Sequence, residues 1–246
     1  MVDPTVVRDT MPAERTKGAD ITQQILTHAT RLFAARGFVG ASLRDIAKAV
    51  GIRKPSLLYH FNSKDDLRRG VLEKMLAHWN EVVPRLLKAA TSGHEQFQAV
   101  ATETLEFFRA DPDRARLLLR ELLDRPEEME PLIESHVQPW TKIICDYIRK
   151  GQQQGRVHPD IDPEAYVVHM INLMVCGVAL HDSMIALMPA GDDGREQLAA
   201  RTMTELLRFA RAGLFIDPAA AREGIEAPGP LPEPASVSGK EPSPER

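Results

Sequence analysis

Cysteine is scarce, with two among 246 residues, Cys145 and Cys176. Neither stands in a metal-ligand spacing, so a disulfide-built scaffold and a structural zinc site are both excluded, and a reducing compartment is expected. Aromatic residues make up only 5% of the chain. No stretch alternates Val, Ile, Thr and Tyr with period two, so a sandwich or barrel of strands lacks its raw material. Long hydrophobic runs are missing too. The longest, 167–180, holds His169 and Asn172 within its 14 residues, well short of the roughly 20 needed to span a bilayer. The first twenty residues carry no hydrophobic core of a signal peptide, so a cytoplasmic protein without membrane association is expected. Glycine-rich phosphate loops, nucleophile-elbow patterns and paired metal-binding helix motifs are likewise absent. What is present is a chain 43% apolar and 27% charged, enough to bury a core and too apolar to be disordered throughout.

The net charge of −4 hides a segregation. From Arg15 to Arg69 eleven basic residues face four acidic ones, which is +7 within 55 residues and leaves −11 on the rest. A compact basic segment on an acidic remainder points to an anionic partner for the first part alone. A solvated helical surface would have the same composition, so charge by itself leaves both readings open.

Apolar residues recur at three- and four-residue spacing almost everywhere, which predicts an all-α protein of about nine helices. A first helix is expected from Asp20, with the stripe Ile21, Ile25, Ala29, Leu32 and Phe33, ending at Gly37. Ser42 opens a short second helix with Asp45 in the capping-box position, and Gly51 closes it. Pro55 suits the start of a third, reaching about Phe61. Ser63 and Asp66 open a long fourth helix over 64–89, with Pro84 as a bend. Further helices are expected at 95–110, 112–123, 131–154 (divided or bent at Pro139), 163–188 and 195–215. Residues 1–19 read as a loose arm. Residues 217–246, dense in proline and poor in large apolar side chains, read as a disordered tail.

Residues 42–61 have the layout of a helix-turn-helix. Two short helices meet at Gly51, and Ile46, Ala47, Val50, Leu57 and Phe61 are spaced to share a small core. Arg44, Lys48, Arg53, Lys54, Ser56, Tyr59 and His60 occupy the outward positions and are donors suited to phosphates or base edges.

Gly37-Phe38, then Ala41-Ser42-Leu43-Arg44-Asp45-Ile46-Ala47, then the run from Gly51 to Leu67 closely resemble the DNA-binding domain of TetR-family transcriptional regulators. The match holds in register over about fifty residues. The turn 151–163 and the overall length resemble the family's second, more divergent domain. The resemblance implies a helix-turn-helix domain at 20–66 and a helical effector-binding and dimerisation domain at 67–216. It implies that Ser42 touches a phosphate, that Arg44 reads guanine, and that Arg53, Lys54 and Ser56 belong to the recognition surface. Leu57 mainly supports the core there, Tyr59 and His60 hold the backbone, and Lys64 meets a phosphate at the amide end of the fourth helix. One position departs: members commonly carry a tyrosine where this chain has Leu58, so that phosphate contact falls to Tyr59.

The resemblance further implies double-stranded operator DNA as partner, a homodimer through the last two helices, and a small-molecule effector, with no cofactor or metal. Val168, Ile171, Val175, Ala179 and Ala186 make one stripe, and Leu198, Met203, Leu206, Leu207, Phe209 and Ala210 the other. For an effector cavity the candidates are Trp79, Phe107, Phe108, Trp140, Ile144, Met170 and Met174 as walls, with His169, Asn172 and His181 as polar anchors. Two other classes compete. An enzyme would use His181-Asp182 as an acid–base pair or His158, Asp160, Asp162 and His169 as a metal cluster, but adjacent helical residues diverge and the Asp-Pro punctuation reads as a turn. A helical scaffold binding only protein predicts no affinity for DNA, against the placement of the +7 segment. The favoured reading is a cytoplasmic, ligand-responsive repressor without enzymatic activity. From the composition of the tail, deleting residues 218–246 is expected to leave the melting temperature and particle mass nearly unchanged. A large drop in melting temperature, followed by circular dichroism, would show that the tail docks on the body.

Overall fold

The computed structural model describes residues 12–188 and 194–216. The expected tail, 217–246, and residues 1–11 of the expected arm lie outside the described residues. Among those described, the secondary structure is α1 Pro12–Gly40, α2 Leu43–Val50, α3 Lys54–His60, α4 Lys64–Ala89, α5 Gly93–Arg109, α6 Pro112–Asp124, α7 Pro126–His136, α8 Gln138–Gln153, α9 Pro163–Ala179, α10 His181–Met184 and α11 Arg195–Leu214. A single 3-10 turn, Ile185–Leu187, and one isolated antiparallel bridge, Val157 to Phe215, complete it. The protein is all-α.

Eleven helices stand where about nine were expected, because two long ones are divided. The helix expected over 131–154 starts earlier, with Pro126 in the first turn of α7, and splits at Val137, with Pro139 in the first turn of α8. Proline is pre-set for a first turn and has no amide to bond back into the preceding turn, so the helix divides here. The helix expected over 163–188 stops at Ala179 and the chain turns by 74° into α10 and the 3-10 turn. At that break Asp182, at the start of α10, is held by Arg116 of α6 at 2.8 Å. One expectation for α1 also changes. Asp20 is not a cap, since α1 runs back to Pro12, which suits a first turn. Pro84 lies inside a continuous α4.

At the other end of α1, Gly37 adopts φ 70° and ψ 171°. That region belongs essentially to glycine alone. It lets the chain leave the helix, and Phe38 swings back to lie 5.8 Å from Phe33. Ser42 and Ser63 then cap α2 and α4 by accepting the amides of Asp45 and Asp66.

The largest apolar core joins Ile25, Phe33, Ile46, Leu57, Leu67 and Leu72 of the first four helices to Leu117 of α6, Met129 of α7 and Val175 of α9. Packing is therefore continuous across residues 66 and 67, where the expected domain boundary falls. α6 lies against both α1 and α9. Within this core sits a charge. Arg68 is 5% exposed, and its guanidinium donates to Glu121 of α6, itself 2% exposed, at 2.7 Å, and also to Glu128 of α7. Burial acts to raise the pKa of Glu128, but Arg68 and Arg125 outweigh it and hold the carboxyl below its ordinary value.

Removing one member of a buried ion pair strands the other, at a cost of about 3–5 kcal/mol. Glu121→Ala is thus expected to lower the melting temperature by on the order of 10 °C, while the apolar double replacement Arg68→Met/Glu121→Leu recovers most of the loss. Because the folded pKa of Glu128 is depressed, its contribution is complete above the unfolded carboxylate value of about 4 and vanishes as pH falls through the folded one. Thermal melts of both variants across pH 3–7 check these outcomes.

Candidate functional site

α2 and α3 are joined at Gly51, which is left-handed (φ 80°, ψ 22°) and donates its amide back to Ala47 and Lys48. Only glycine takes that conformation without strain. The turn sets the two helices against each other over Ile46, Ala47, Leu57 and Phe61, all buried, with Val50 half-buried. This small core leaves an outward face. Ser42, Arg44, Lys48, Arg53, Lys54, Ser56 and Tyr59 are exposed, Tyr59 to 86%. Among the described residues no ion pair engages Arg44, Arg53 or Lys54, so their charge is presented to solvent. Arg36 lies 3.5 Å from Asp45, beside the same face.

The other predicted DNA-contacting residues are held by the protein itself. Leu57 is fully buried. His60 is half-buried, with Nδ1 3.0 Å from the Thr22 hydroxyl of α1 and its ring edge-on to Tyr59. Ser42 both caps Asp45 and donates to its carboxylate at 2.8 Å. Lys64 donates to the Val39 carbonyl at 3.4 Å and sits 4.4 Å over the Phe38 ring. The guanidinium of Arg125 lies 4.3 Å from the centre of the same ring, and that of Arg68 5.4 Å, so three cations surround one aromatic. Sequence reading missed this cluster, since Arg125 is remote along the chain from Lys64 and Arg68.

A cavity of about 280 Å³ opens among α5, α8, α9 and the ends of α4 and α11. Of the residues expected to form it, Trp140, Ile144, Met170 and Met174 line it. Trp79, Phe107 and Phe108 do not. They pack instead in an aromatic cluster with His78, whose ring stacks on Phe107 at 4.9 Å, and Trp79 lies 6.3 Å from Trp140. Burial there lowers the pKa of His78, with Arg114 adding to it against Glu103. His169 and Asn172 are exposed on α9, and His181 lies beyond its end; none lines the cavity. Residues not foreseen do so: Phe97, Thr104, Tyr147, Ile148, Lys150 and Arg156. Their signal lies in the tertiary arrangement. The backbone of Arg156 and His158 bonds Ile216 and Leu214 beyond and at the end of α11, which closes the cavity's far side.

The exposed basic face on a glycine-turned helix pair defines the class: a helix-turn-helix protein that binds DNA. Residues 25–71 match the model of bacterial regulatory proteins of the tetR family, and residues 94–205 match the tetracyclin repressor-like C-terminal domain. A curated relative, the negative transcriptional regulator IcaR of the biofilm operon in Staphylococcus aureus, is 25% identical over 134 residues, covering 54% of this chain and 70% of IcaR. The fold is shared with FadR of Bacillus subtilis in complex with stearoyl-CoA (TM-score 0.62, 17% identity, 78% of this chain and 98% of that one). It is shared too with a regulator from Saccharomonospora viridis in complex with choline (TM-score 0.60, 20% identity, 81% and 100%). The chain belongs to the tetR family and is a DNA-binding transcriptional regulator.

The geometry separates two kinds of variant. Arg44→Ala is expected to change stability by less than about 0.5 kcal/mol and to cost about 1–3 kcal/mol of operator affinity per half-site, concentrated on one base pair. His60→Ala, which removes the contact to the Thr22 hydroxyl, is expected to lower stability by about 1 kcal/mol. Chemical denaturation beside fluorescence anisotropy on operator and scrambled duplexes checks both. An equal loss on the two duplexes for Arg44→Ala would make that residue a phosphate clamp.

Proposed function

We propose that the chain acts as a homodimeric repressor that leaves its operator when a small molecule fills the cavity among α5, α8 and α9. The observation that carries this reading is the reach of α4. Its first turn, at Ser63 and Lys64, adjoins the recognition helix, while Leu87 near its end lines the cavity. A ligand that favours one setting of α4 thereby favours one placement of the recognition helix, as a shift between two states. In this reading residues 20–66 and 67–216 are functional domains that share one continuous core.

Arg44, Arg53, Lys54, Ser56 and Tyr59 form the DNA-reading surface, and Ser42 and Lys64 approach phosphates from its flanks. Leu57 and His60 hold that surface in place. Two copies join through α9 and α11. Support comes from apolar side chains left in solvent on those helices: Val168 at 54% exposure, Leu173 at 41% and Phe209 at 65%. This face keeps Val168 and Phe209 of the predicted stripes and adds Leu173, while Val175 is buried and Ile171 and Ala179 pack against the core. Such a face on each copy is self-complementary about a two-fold axis. The role is regulatory rather than catalytic, and no helix among the described residues is by itself long and apolar enough to cross a membrane.

Light scattering at micromolar concentration is expected to give twice the 27.4 kDa chain mass. Phe209→Glu with Val168→Glu is expected to give the monomer and to lose operator binding. Sites selected from random duplexes by the purified protein are expected to be palindromic, with half-sites about 34 Å apart or a multiple. A monomeric wild-type protein, or a single asymmetric site, would defeat the paired reading.

A further inference from the structure

The similar structures do not carry over a ligand charge: one holds an anionic acyl thioester and another a quaternary ammonium ion. The lining of this chain's own cavity is more specific. Its inner wall is apolar and buried, with Ala101, Ile148, Val157, Val167, Met174 and Leu214 all below 7% exposure. Its exposed lining residues mark the mouth, and they include Tyr147, Lys150 and Arg156. Among the described residues no carboxylate lines the cavity, and Glu95, behind its rim, is taken up by Thr91 and Ser92. The cations at the rim are not used up. No ion pair engages Lys150 or Arg156 among the described residues, and the Arg156 guanidinium donates to the Gln154 side chain. This is a basic rim set in the part of the chain that carries −11.

A third feature lies inside. Trp140 lines the cavity at 9% exposure, and its Nε1–H is buried without a protein acceptor. Other polar groups in the lining are engaged. The Tyr166 hydroxyl donates to the Ala210 carbonyl at 2.7 Å, Thr104 to Val100 at 2.7 Å, and Gln96 to Leu87 at 3.0 Å. With Nε1 closed off from the cavity's space and the other polar groups engaged, the interior offers a ligand an apolar wall rather than a donor.

Taken with the proposed effector role of the cavity, on which it rests, this pattern assigns a ligand class. We propose that the cavity takes a small amphipathic anion, an acyl chain ending in a carboxylate or thioester-linked anion. The chain lies among Ala101, Val167 and Met174, and the negative end meets Lys150 and Arg156. At about 280 Å³ the cavity is at the small end of ligand sites, which run from roughly 300 to 1,000 Å³. At about 30 Å³ for each small group, it admits a chain of some eight to ten carbons, so a larger carrier stays outside the mouth.

The test uses the full-length protein without DNA, titrated with octanoate, octanoyl-CoA, octanol and octylammonium, and followed by calorimetry and tryptophan emission. Trp140 is one of only two tryptophans, so occupancy reports directly. The expected order places an anion first, with octanoate and octanoyl-CoA distinguishing a free acid from a thioester carrier. Lys150→Ala/Arg156→Ala, both exposed positions, should weaken the anion roughly tenfold and leave octanol nearly unchanged. If octanol or octylammonium binds as tightly as the anions, or if the rim variant binds octanoate unchanged, the assignment fails. No binding by any of the four also overturns it. Tight anion binding that leaves operator affinity unchanged would uphold the ligand class and defeat release from the operator instead.

Discussion

The arrangement depends on one buried charge. Arg68 sits a single turn into α4 with its guanidinium inside the apolar core, where an unpaired cation would be prohibitively costly. That cost is offset by Glu121, equally buried, and by Glu128 from the next helix. A well-packed apolar pair would fill the space as stably, so ionic strength is a poor reason for its presence. Specificity of position is a better one. A methionine and a leucine tolerate sliding, whereas a guanidinium and a carboxylate at 2.7 Å have one good register. That register fixes α4 to α6. Through Phe38, ringed by Lys64, Arg68 and Arg125, it also fixes the end of α1.

In the regulator this register creates a short mechanical path. α6 abuts α1 on one side and α9 on the other, and α9 supplies Val167, Met170 and Met174 to the cavity. A ligand acts on this path only through its preference for one setting over the other. Reversing a 99:1 population requires about 5.5 kcal/mol of differential affinity. At about 0.8 kcal/mol for each buried CH₂, a setting that buries roughly seven more methylenes against α9 than the other would supply it. The polar lock at Arg68 then works in favour of switching. A core with discrete ion-pair registers moves between defined states rather than deforming continuously.

Much of this was legible in the chain. The caps at Ser42 and Ser63, the left-handed turn at Gly51 and the buried Ile46, Ala47 and Leu57 are local features, and local chemistry determines them. Helix existence was legible for the same reason. The misses share a different character. No proline announces the break after Ala179, and the contact beside it, Arg116 of α6 to Asp182, joins residues 66 apart in the chain. Phe107 and Phe108 have the look of cavity walls by type and spacing, yet an aromatic at helical spacing is satisfied equally by other aromatics, and His78 and Trp79 supply them. His169 and Asn172 stand out as polar interruptions in an apolar run. They mark instead the solvent side of α9, which an isolated sequence cannot orient when both faces of a helix are largely apolar.

Charge distribution acts on both partners. The basic N-terminal segment and acidic remainder together steer DNA: attraction is confined to the helix-turn-helix face while the rest of the surface repels phosphate. By the same reckoning an anionic effector should be repelled from the larger half. The range of the field removes the conflict. At physiological ionic strength a surface charge is screened within about 8 Å, so a ligand at the cavity mouth feels Lys150 and Arg156 far more than carboxylates on distant helices. A duplex spans many Debye lengths and feels the patchwork as a whole. Net charge therefore selects the macromolecular partner and its orientation, while the sign of the small ligand is set by the few side chains at one opening.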